Sequence, residues 1–454
     1  MGEASLRAER PLAVVILAAG KGSRLGGGDA LPPKPLLDCL GLPLLEHVRR
    51  ALAPLAAEHT LVVTGHRAED LEAWLGASWG GARAVRQVPQ NGTGHAARLA
   101  LEALPDFEGD VLVVYGDVPQ LASTDLAELL AVHRAEDAQA TVLTGVIAEP
   151  GMLGRVVRDE AGAFARIVEA RDATPHELEL REFNTGLYAF AAGALRTALG
   201  SLSTDNVQGE EYLTDAVGAV RESGGRVEAV VAPEGGALLG VNDWADLATA
   251  VATLRARICT EHMRRGVRIT DPATTVIEAD VAIEPGARIL PFTHIGTGCR
   301  IGAGAKVGPF ARLRGGTVLE AGAEIGNFVE VKGSTVGAGA KAKHLTYLGD
   351  AEVGPRANVG CGVVTANYDG QAKHRTHIGP DASIGSGTVL VAPTSVGAGG
   401  RTGANAVVLP DHAVPPGATA VGVPSRVLPS EADSGEDAAG HGSPEEQAGE
   451  STQS

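Results

Sequence analysis

The sequence predicts an open, mostly parallel α/β sheet over the first half of the chain and a left-handed parallel β-helix over the second. Three observations carry this. Aliphatic residues fall at every sixth position from Ile277 to Val331, which neither a helix of period 3.6 nor a strand of period 2 explains. Apolar runs at 12–19, 60–64 and 110–115 alternate with amphipathic stretches, the pattern of strands buried on both faces between helices. With 61 Gly and only 3% aromatic residues in 454, the composition suits a prism filled by aliphatic side chains, and the length exceeds one ordinary core.

In chain order, residues 1–11 are an N-terminal extension. The run Leu12 to Ala19 leads into Gly20-Lys21-Gly22-Ser23-Arg24 and not into a small-residue cleavage site, so it is a first buried strand and not a secretion signal. Helices are expected over 43–57, 68–75, 94–104 and 123–135, the last capped by Ser123-Thr124-Asp125. This βαβα order is Rossmann-like, of the doubly wound type in which ligands collect at the carboxyl ends of the strands. Residues 12–242 form this domain. A linker helix follows at 243–264, with Trp244, Leu247, Val251, Leu254 and Ile258 spaced by three or four.

The β-helix occupies 265–428. Its series Ile277, Ile283, Ile289, Ile295, Ile301, Val307, Leu313, Leu319, Ile325, Val331 is a hexapeptide repeat, one inward aliphatic per face of a three-sided prism. Gly follows the aliphatic at 296, 302, 308 and 326, where a tight corner is expected to need permissive backbone. The pattern resumes, partly reframed, at Val336, Leu348, Val353, Val359, Ile378, Ile384, Leu390, Val396, Val408 and Val414. Residues 362–377 interrupt it, as a loop protruding from the prism would. Prisms of this kind are very often acyltransferases and usually trimerise, an expectation by fold analogy alone.

The net charge of -17 argues against nucleic acid or an anionic membrane as partner. Seven of the acids lie in residues 429–454, which hold no Lys or Arg and are expected to form a disordered acidic tail, leaving the folded part nearer -10 (-17 plus 7). Cys39, Cys259, Cys299 and Cys361 make no CxxC pair, so reduced thiols and a cytoplasmic location are expected.

The first strand ends in Leu17-Ala18-Ala19-Gly20-Lys21-Gly22-Ser23-Arg24-Leu25. A Gly-rich turn there offers backbone N–H groups to phosphate, but it is neither a Walker loop nor the dinucleotide fingerprint. Followed by Pro33-Lys34-Pro35-Leu36, it resembles the signature of sugar-1-phosphate nucleotidyltransferases. The resemblance implies that Arg24 and Lys34 neutralise a triphosphate, with Leu17, Ala18, Ala19 and Gly20 beside the nucleotide. Gln87 and Asn91-Gly92-Thr93-Gly94-His95-Ala96 resemble that family's uracil-recognising segment. In Tyr115-Gly116-Asp117-Val118-Pro119, Asp117 matches a Mg²⁺ ligand, and Asn242 matches the second; Mg²⁺ prefers one or two protein oxygens plus phosphate. Gly154, Glu169 and Asn184 match positions that hold the sugar. Three extra residues between Arg24 and Lys34, in the stretch 26–32, depart from the pattern.

Further motifs narrow the resemblance. Gly308-Pro309-Phe310-Ala311-Arg312-Leu313-Arg314, then Gly326-Asn327-Phe328-Val329-Glu330-Val331-Lys332, then Lys343-His344-Leu345-Thr346-Tyr347-Leu348-Gly349-Asp350, and Asn367-Tyr368-Asp369-Gly370 are similar to one bacterial family. Its members fuse glucosamine-1-phosphate N-acetyltransferase to N-acetylglucosamine-1-phosphate uridyltransferase, and the likeness covers about 12–428. It implies acetyl-CoA and UTP as co-substrates and a homotrimer built through the β-helix. An amine attacking a thioester must lose a proton, and His344 is the natural base, as it is at the matched family position. Arg314, Lys332, Tyr347, Asn358 and Lys373 match contacts to glucosamine-1-phosphate. Cys361, Asn367, Tyr368, Ser386 and Ala404 match contacts to acetyl-CoA, with Cys361 standing where a smaller residue is typical and Arg426 as the candidate for the CoA phosphate.

Two rival readings are a nucleotidyltransferase of single activity with a retargeted β-helix and a non-catalytic assembly subunit. Intact Arg24, Lys34, Asp117, His344, Arg314, Lys332, Tyr347 and Asn358 speak against both.

Overall fold

The computed structural model describes residues 10–26, 31–205 and 209–428, which divide into two compact units between Leu254 and Arg255. The first nine residues of the expected extension, part of the enlarged loop after Gly26, and the acidic tail 429–454 lie outside the described residues.

In the first unit the central path of the sheet runs Val227–Val231, Ala140–Val146, Glu182–Ala191, Asp110–Tyr115, Leu12–Leu17, His59–Thr64, Arg83–Arg86. Leu12–Leu17 lies parallel to both of its neighbours, whereas Glu182–Ala191 is antiparallel to both of its own. The apolar run is therefore buried on both faces. Ala13, Val15 and Leu17 enter one core with helices Thr93–Glu102, Ala192–Gly200 and Leu213–Glu222. Leu12, Val14 and Ile16 enter the other with Leu44–Leu52, Ala68–Ser78 and Ser123–Ala135. Helix 123–135 has the expected bounds but not the expected cap. Ser123 is already its first helical residue, and Ala122 occupies the N-cap with no side-chain cap bond. The unit boundary falls inside helix Trp244–Arg264.

The second unit is a prism of three sheets of ten, eight and eight strands, parallel except for the last strand of the first, and most only two or three residues long. The first face starts with Arg268–Ile269 and Arg288–Ile289, the second with Val276–Ile277 and His294–Ile295, and the third with Ala282–Ile283 and Arg300–Ile301. Every aliphatic of the hexapeptide series is buried and belongs to one continuous core, including the reframed positions from Val336 to Val414. Where the aliphatic series skips a position, Ala342, Thr365, Thr402 and Ala420 fill it, each buried. The interruption is shorter than 362–377, because Val364–Ala366 stays in register with its neighbours and only 367–375 leaves the coil.

The glycines after the aliphatic positions serve a different purpose from the one expected. Of the four, only Gly308 has a positive φ, 96°. At Gly296, Gly302 and Gly326 the next coil's backbone crosses so close that a Cβ would meet it, at 2.0 Å from the Lys343 carbonyl oxygen in the case of Gly326. The left-handed corner comes three residues after the aliphatic, at Gly298, Gly304, Gly316 and Gly322, and also at Phe292, Phe310 and Phe328. Those phenylalanines lie one coil apart and stack, with ring centroids 4.7 and 5.2 Å apart. Gly326→Ala is therefore expected to destabilise the prism by about 1–3 kcal/mol through overpacking alone. A thermal melt of the variant that matches the parent would show that the coils can spread.

Candidate active sites

A cavity of about 440 Å³ opens at the carboxyl ends of the central strands of the first unit. It is lined by Leu17, Ala18, Ala19 and Gly20 from the first strand and its turn, by Gln87, Gly92 and Thr93, and by Tyr115 and Asp117 after the strand 110–115. Lys34 and Asn242 complete the set, so eleven residues singled out in the sequence meet in one place. Arg24 is not in the lining; it sits exposed on the 3-10 turn Ser23–Leu25. Gly116 lies just behind, its N–H donating to the Leu17 carbonyl at 3.0 Å.

The geometry of this cavity is fixed by bonds the sequence did not announce. Gln87 is 3% exposed and donates to the Gly92 carbonyl at 2.8 Å, closing the loop 87–92 on itself. Gln90, also in the lining, donates to the Ala19 carbonyl at 2.6 Å and ties that loop to the Gly-rich turn. The Tyr115 hydroxyl bonds to Thr93, and burial raises its pKa, with the Asp117 carboxylate adding to the effect. Next to Tyr115 lie the three residues matched to the sugar. Asn184 N–H donates to the Gly154 carbonyl at 2.9 Å, and its side-chain amide donates to Tyr188 Oη at 2.7 Å. A Cβ on Gly154 would come within 3.5 Å of the Glu169 carboxylate, so that glycine keeps open space in front of it. Burial, and then the Asp215 carboxylate, push Glu169 above the usual carboxylate range.

The Lys34 ammonium forms an ion pair with Asp117 Oδ2 and donates to Asn242 Oδ1 at 3.3 Å. Asn242 is oriented for this, since its Nδ2 donates to the Gly240 carbonyl at 3.0 Å and its backbone N–H to Asp246 Oδ2 at 2.8 Å. One carboxylate oxygen and one amide oxygen thus converge on a single positive charge. That donor set is what Mg²⁺ takes when phosphate supplies its other ligands. Among the described residues no three of His, Cys, Asp and Glu cluster as a fuller protein cage would require.

In the second unit the matched acetyl-transfer residues fall on two faces and one edge. His344, Cys361, Ser386 and Ala404 form one ladder, each a coil further along the edge after the first face, and all four are exposed. His344 Nδ1 is hydrogen-bonded to Asn327 Oδ1 at 2.9 Å. Arg314 donates to Glu330 at 3.2 Å, and Lys332 to Asp350 at 3.4 Å, from the far side of the second face. Tyr347 sits on the second face beside them, paired in register with Glu330. Asn358 instead points out from the first face, between Lys341 and Ser383, so one prism does not bring it to Arg314. Asn367 is buried with its amide on Asp350, and Tyr368 and Lys373 pair across the excursion 367–375. Asp369 holds that loop by accepting from Gln371 N at 2.8 Å, Ala372 N at 2.7 Å and His374 Nε2 at 2.7 Å. Arg426 is exposed on the last strand, at the end of the stack.

Three cations therefore gather without an anion of equal charge. Lys373 is pushed down by contact with the Lys332 ammonium, Arg314 adding to the effect. Lys332 is held up because it can donate to Lys373 once that amine is neutral, and by Asp350. Such a group favours a phosphate between its members. The partners Asn327, Glu330 and Asp350 were missed as partners in the sequence. Their signal was there: each lies 16 to 18 residues from its mate, which is about one coil.

Comparison with known proteins agrees with the architecture. Residues 14–179 match the model of the MobA-like NTP transferase domain, and residues 274–309 match the bacterial transferase hexapeptide (six repeats). A protein named "Bifunctional protein GlmU" from Mycolicibacterium gilvum (strain PYR-GCK) is 44% identical over 447 residues, covering 90% of this chain and 89% of that one. The chain belongs to the bifunctional GlmU family. Proteins of the same name from Thermobifida fusca (strain YX), 42% identical over 93% of this chain and 94% of that protein, and from Leifsonia xyli subsp. xyli (strain CTCB07), 42% identical over 91% of each, extend the likeness across both units. As a GlmU-family member the chain is an enzyme with nucleotidyltransferase and acetyltransferase activities, and neither rival reading is favoured. Among the described residues, no helix is long and apolar enough to cross a membrane.

If Lys332 and Lys373 touch as described, Lys332→Met should raise the Lys373 pKa toward that of an isolated lysine. Carbon-13 NMR of dimethylated lysines would follow this titration, and an unmoved Lys373 would separate the two cations.

Proposed function

We propose that the β-helix transfers the acetyl group of acetyl-CoA to glucosamine-1-phosphate, and that the first unit then joins the product to UTP, forming UDP-N-acetylglucosamine. The observation that carries this reading is that each unit holds its own polar set. Lys34, Asp117 and Asn242 converge in one cavity of the first unit, while the second unit carries His344 on one edge and Arg314, Lys332 and Lys373 at the far side of the second face.

In acetyl transfer the substrate amine attacks the thioester carbonyl carbon, the amine proton leaves, and the carbon–sulfur bond breaks to release CoA. Asn327 Oδ1 is an acceptor, so it fixes the imidazole tautomer with the proton on Nδ1 and leaves Nε2 of His344 free to take the amine proton. Arg314, Lys332 and Lys373 hold the sugar phosphate, and the exposed ladder Cys361, Ser386, Ala404 offers a flat edge for the extended CoA arm. In uridyl transfer an oxygen of the sugar phosphate attacks the α-phosphorus of UTP in line and pyrophosphate leaves. Such a step needs positioning and charge neutralisation more than a covalent nucleophile. Asp117 and Asn242 would hold Mg²⁺, which when bound neutralises phosphate charge. Lys34, displaced from them, would then turn with Arg24 to the triphosphate, while Gln87 and Gly92 face the uracil and Gly154, Glu169 and Asn184 the sugar.

The homotrimer belongs to the same proposal, as does a cytoplasmic setting, where these substrates are found. Asn358 and Arg314 sit on different faces of one prism, so a neighbouring prism is needed to complete the sugar-phosphate site. The domain limits 12–242, 243–264 and 265–428 follow from the same assignment.

His344→Ala should lower acetyl transfer by roughly 10²–10⁴ while uridyl transfer from supplied N-acetylglucosamine-1-phosphate stays near the parent rate. Asp117→Ala should do the reverse, abolishing Mg²⁺-dependent pyrophosphate release and sparing CoA release. Equal loss of both activities in either variant would sink the two-site reading. Dilution below the assembly threshold, followed by sedimentation, should remove acetyl transfer and leave uridyl transfer. A monomer fully competent in acetyl transfer would refute the shared site.

A further inference from the structure

Gln87 is held at three points, which is more than lining a cavity requires. It follows the strand Arg83–Arg86, and its backbone N–H donates to the Thr64 carbonyl at 2.8 Å, so the sheet fixes its Cα. Its side-chain Nε2 lies 2.8 Å from the Gly92 carbonyl oxygen and 3.3 Å from His95 Nδ1. The two ends of a primary amide are nearly identical in shape, so their partners decide which way round the group sits. A carbonyl oxygen can only accept, and Gly92 therefore draws the NH₂ end of Gln87 toward the loop. The second N–H of that group is left for His95, third residue of the helix Thr93–Glu102, whose Nδ1 must accept it. That settles the imidazole too: Nδ1 carries the lone pair and Nε2 the proton.

With both N–H groups engaged, Oε1 is the end left over. Among the described residues nothing donates to it, and it is not sealed in, since Gln87 lines the cavity of the first unit. The loop cannot swing to change this, because Gln90 ties it to the Ala19 carbonyl at 2.6 Å. An amide oxygen fixed in this way accepts from a ring N–H and repels a ring lone pair. Uracil offers N3–H, whereas cytosine has a bare N3 in the same place.

We propose that His95 sets the choice between uracil and cytosine, by holding the Gln87 amide with its oxygen toward the base. This rests on the reading that the cavity receives UTP. His95 is absent from the cavity lining, so it is a positioning residue that acts through Gln87. Gln87 is 3% exposed and His95 7%, so an N–H that lost its acceptor here could not turn to bulk water. Without the Nδ1 lone pair the amide gains by turning that N–H into the cavity, where it would donate to cytosine N3. The lone pair of His95 closes off that alternative.

Nucleotide competition on the full chain tests this, with N-acetylglucosamine-1-phosphate and Mg²⁺ supplied and either UTP or CTP as donor. The parent should favour UTP in kcat/KM by roughly a hundredfold or more, as a site built to hydrogen-bond one group rejects an analogue lacking it. His95→Leu fills the space but accepts nothing, and should cut the UTP-to-CTP ratio by roughly ten- to a hundredfold. KM for the sugar phosphate and CoA release by the β-helix should stay within about twofold, which a general loss of structure would not allow. His95→Asn branches an oxygen from Cγ where Nδ1 stood, and should bring the ratio back to within about threefold of the parent. Should His95→Leu misfold, nitrogen-15 NMR of the parent gives an independent reading: His95 should carry its proton on Nε2. A parent that takes CTP as readily as UTP would remove the uracil reading of the cavity, and the proposal with it. A selective parent whose His95→Leu variant keeps the ratio, an Asn variant no more selective than the Leu variant, or a His95 protonated on Nδ1 would overturn the proposal and leave the uracil reading standing.

Discussion

Backbone stacking of one coil on the next sets what every residue of the prism can do. Strand pairs of two or three residues are too short to hold a sheet alone, and each gains its place from the coils above and below. The spacing between coils leaves no room for a Cβ at Gly326 and its equivalents, and it brings side chains one coil apart into contact. The polar cluster of the second unit is built from such contacts. His344 leans on Asn327, Arg314 on Glu330, Lys332 on Asp350, and Asp350 receives Asn367 from the following coil. A rigid ladder thus does for these side chains what a buried pocket does elsewhere, since each is oriented by a neighbour whose own position the backbone fixes.

The first unit solves the same problem by convergence. Its cavity gathers segments from 17–20, 34, 87–93, 115–117 and 242 because parallel strands deliver their ends to one edge of the sheet. The contact of Lys34 with both Asp117 and Asn242 keeps a positive charge near two oxygens that would otherwise face each other across the opening.

How much of this was legible differs by length scale. The hexapeptide period was plain because a buried position tolerates few residue types, and all ten positions from Ile277 to Val331 are buried as read. The alternation of the strand 12–17 between two cores was equally plain. Glycine was read for its backbone freedom, whereas at 296, 302 and 326 its value lies in lacking a Cβ, which only the neighbouring coil reveals. Ser123 looked like a cap because Ser, Thr and Asp favour caps, yet chain geometry began the helix one residue earlier. Partners such as Gln90 with Ala19, or Asn242 with Asp246, had no periodic signal to betray them. The site residues themselves came from family resemblance. The structure adds that eleven of those of the first unit line one cavity, while those of the second are spread over two faces and an edge.

The excursion 367–375 shows where such a molecule has room to vary. Thr376–Ile378 resumes pairing with Ala351–Val353 as though nothing had been inserted, so lengthening a corner leaves the ladders on either side undisturbed. Loop-closure entropy grows only with the logarithm of length, about 0.6 kcal/mol for each doubling, whereas one residue added within a face would turn every inward side chain outward. Diversity within this architecture should therefore accumulate as length differences at the corners and as point changes on the faces. A corner loop such as 367–375 is then the part of the scaffold on which new surface chemistry could be tried at least risk to the fold.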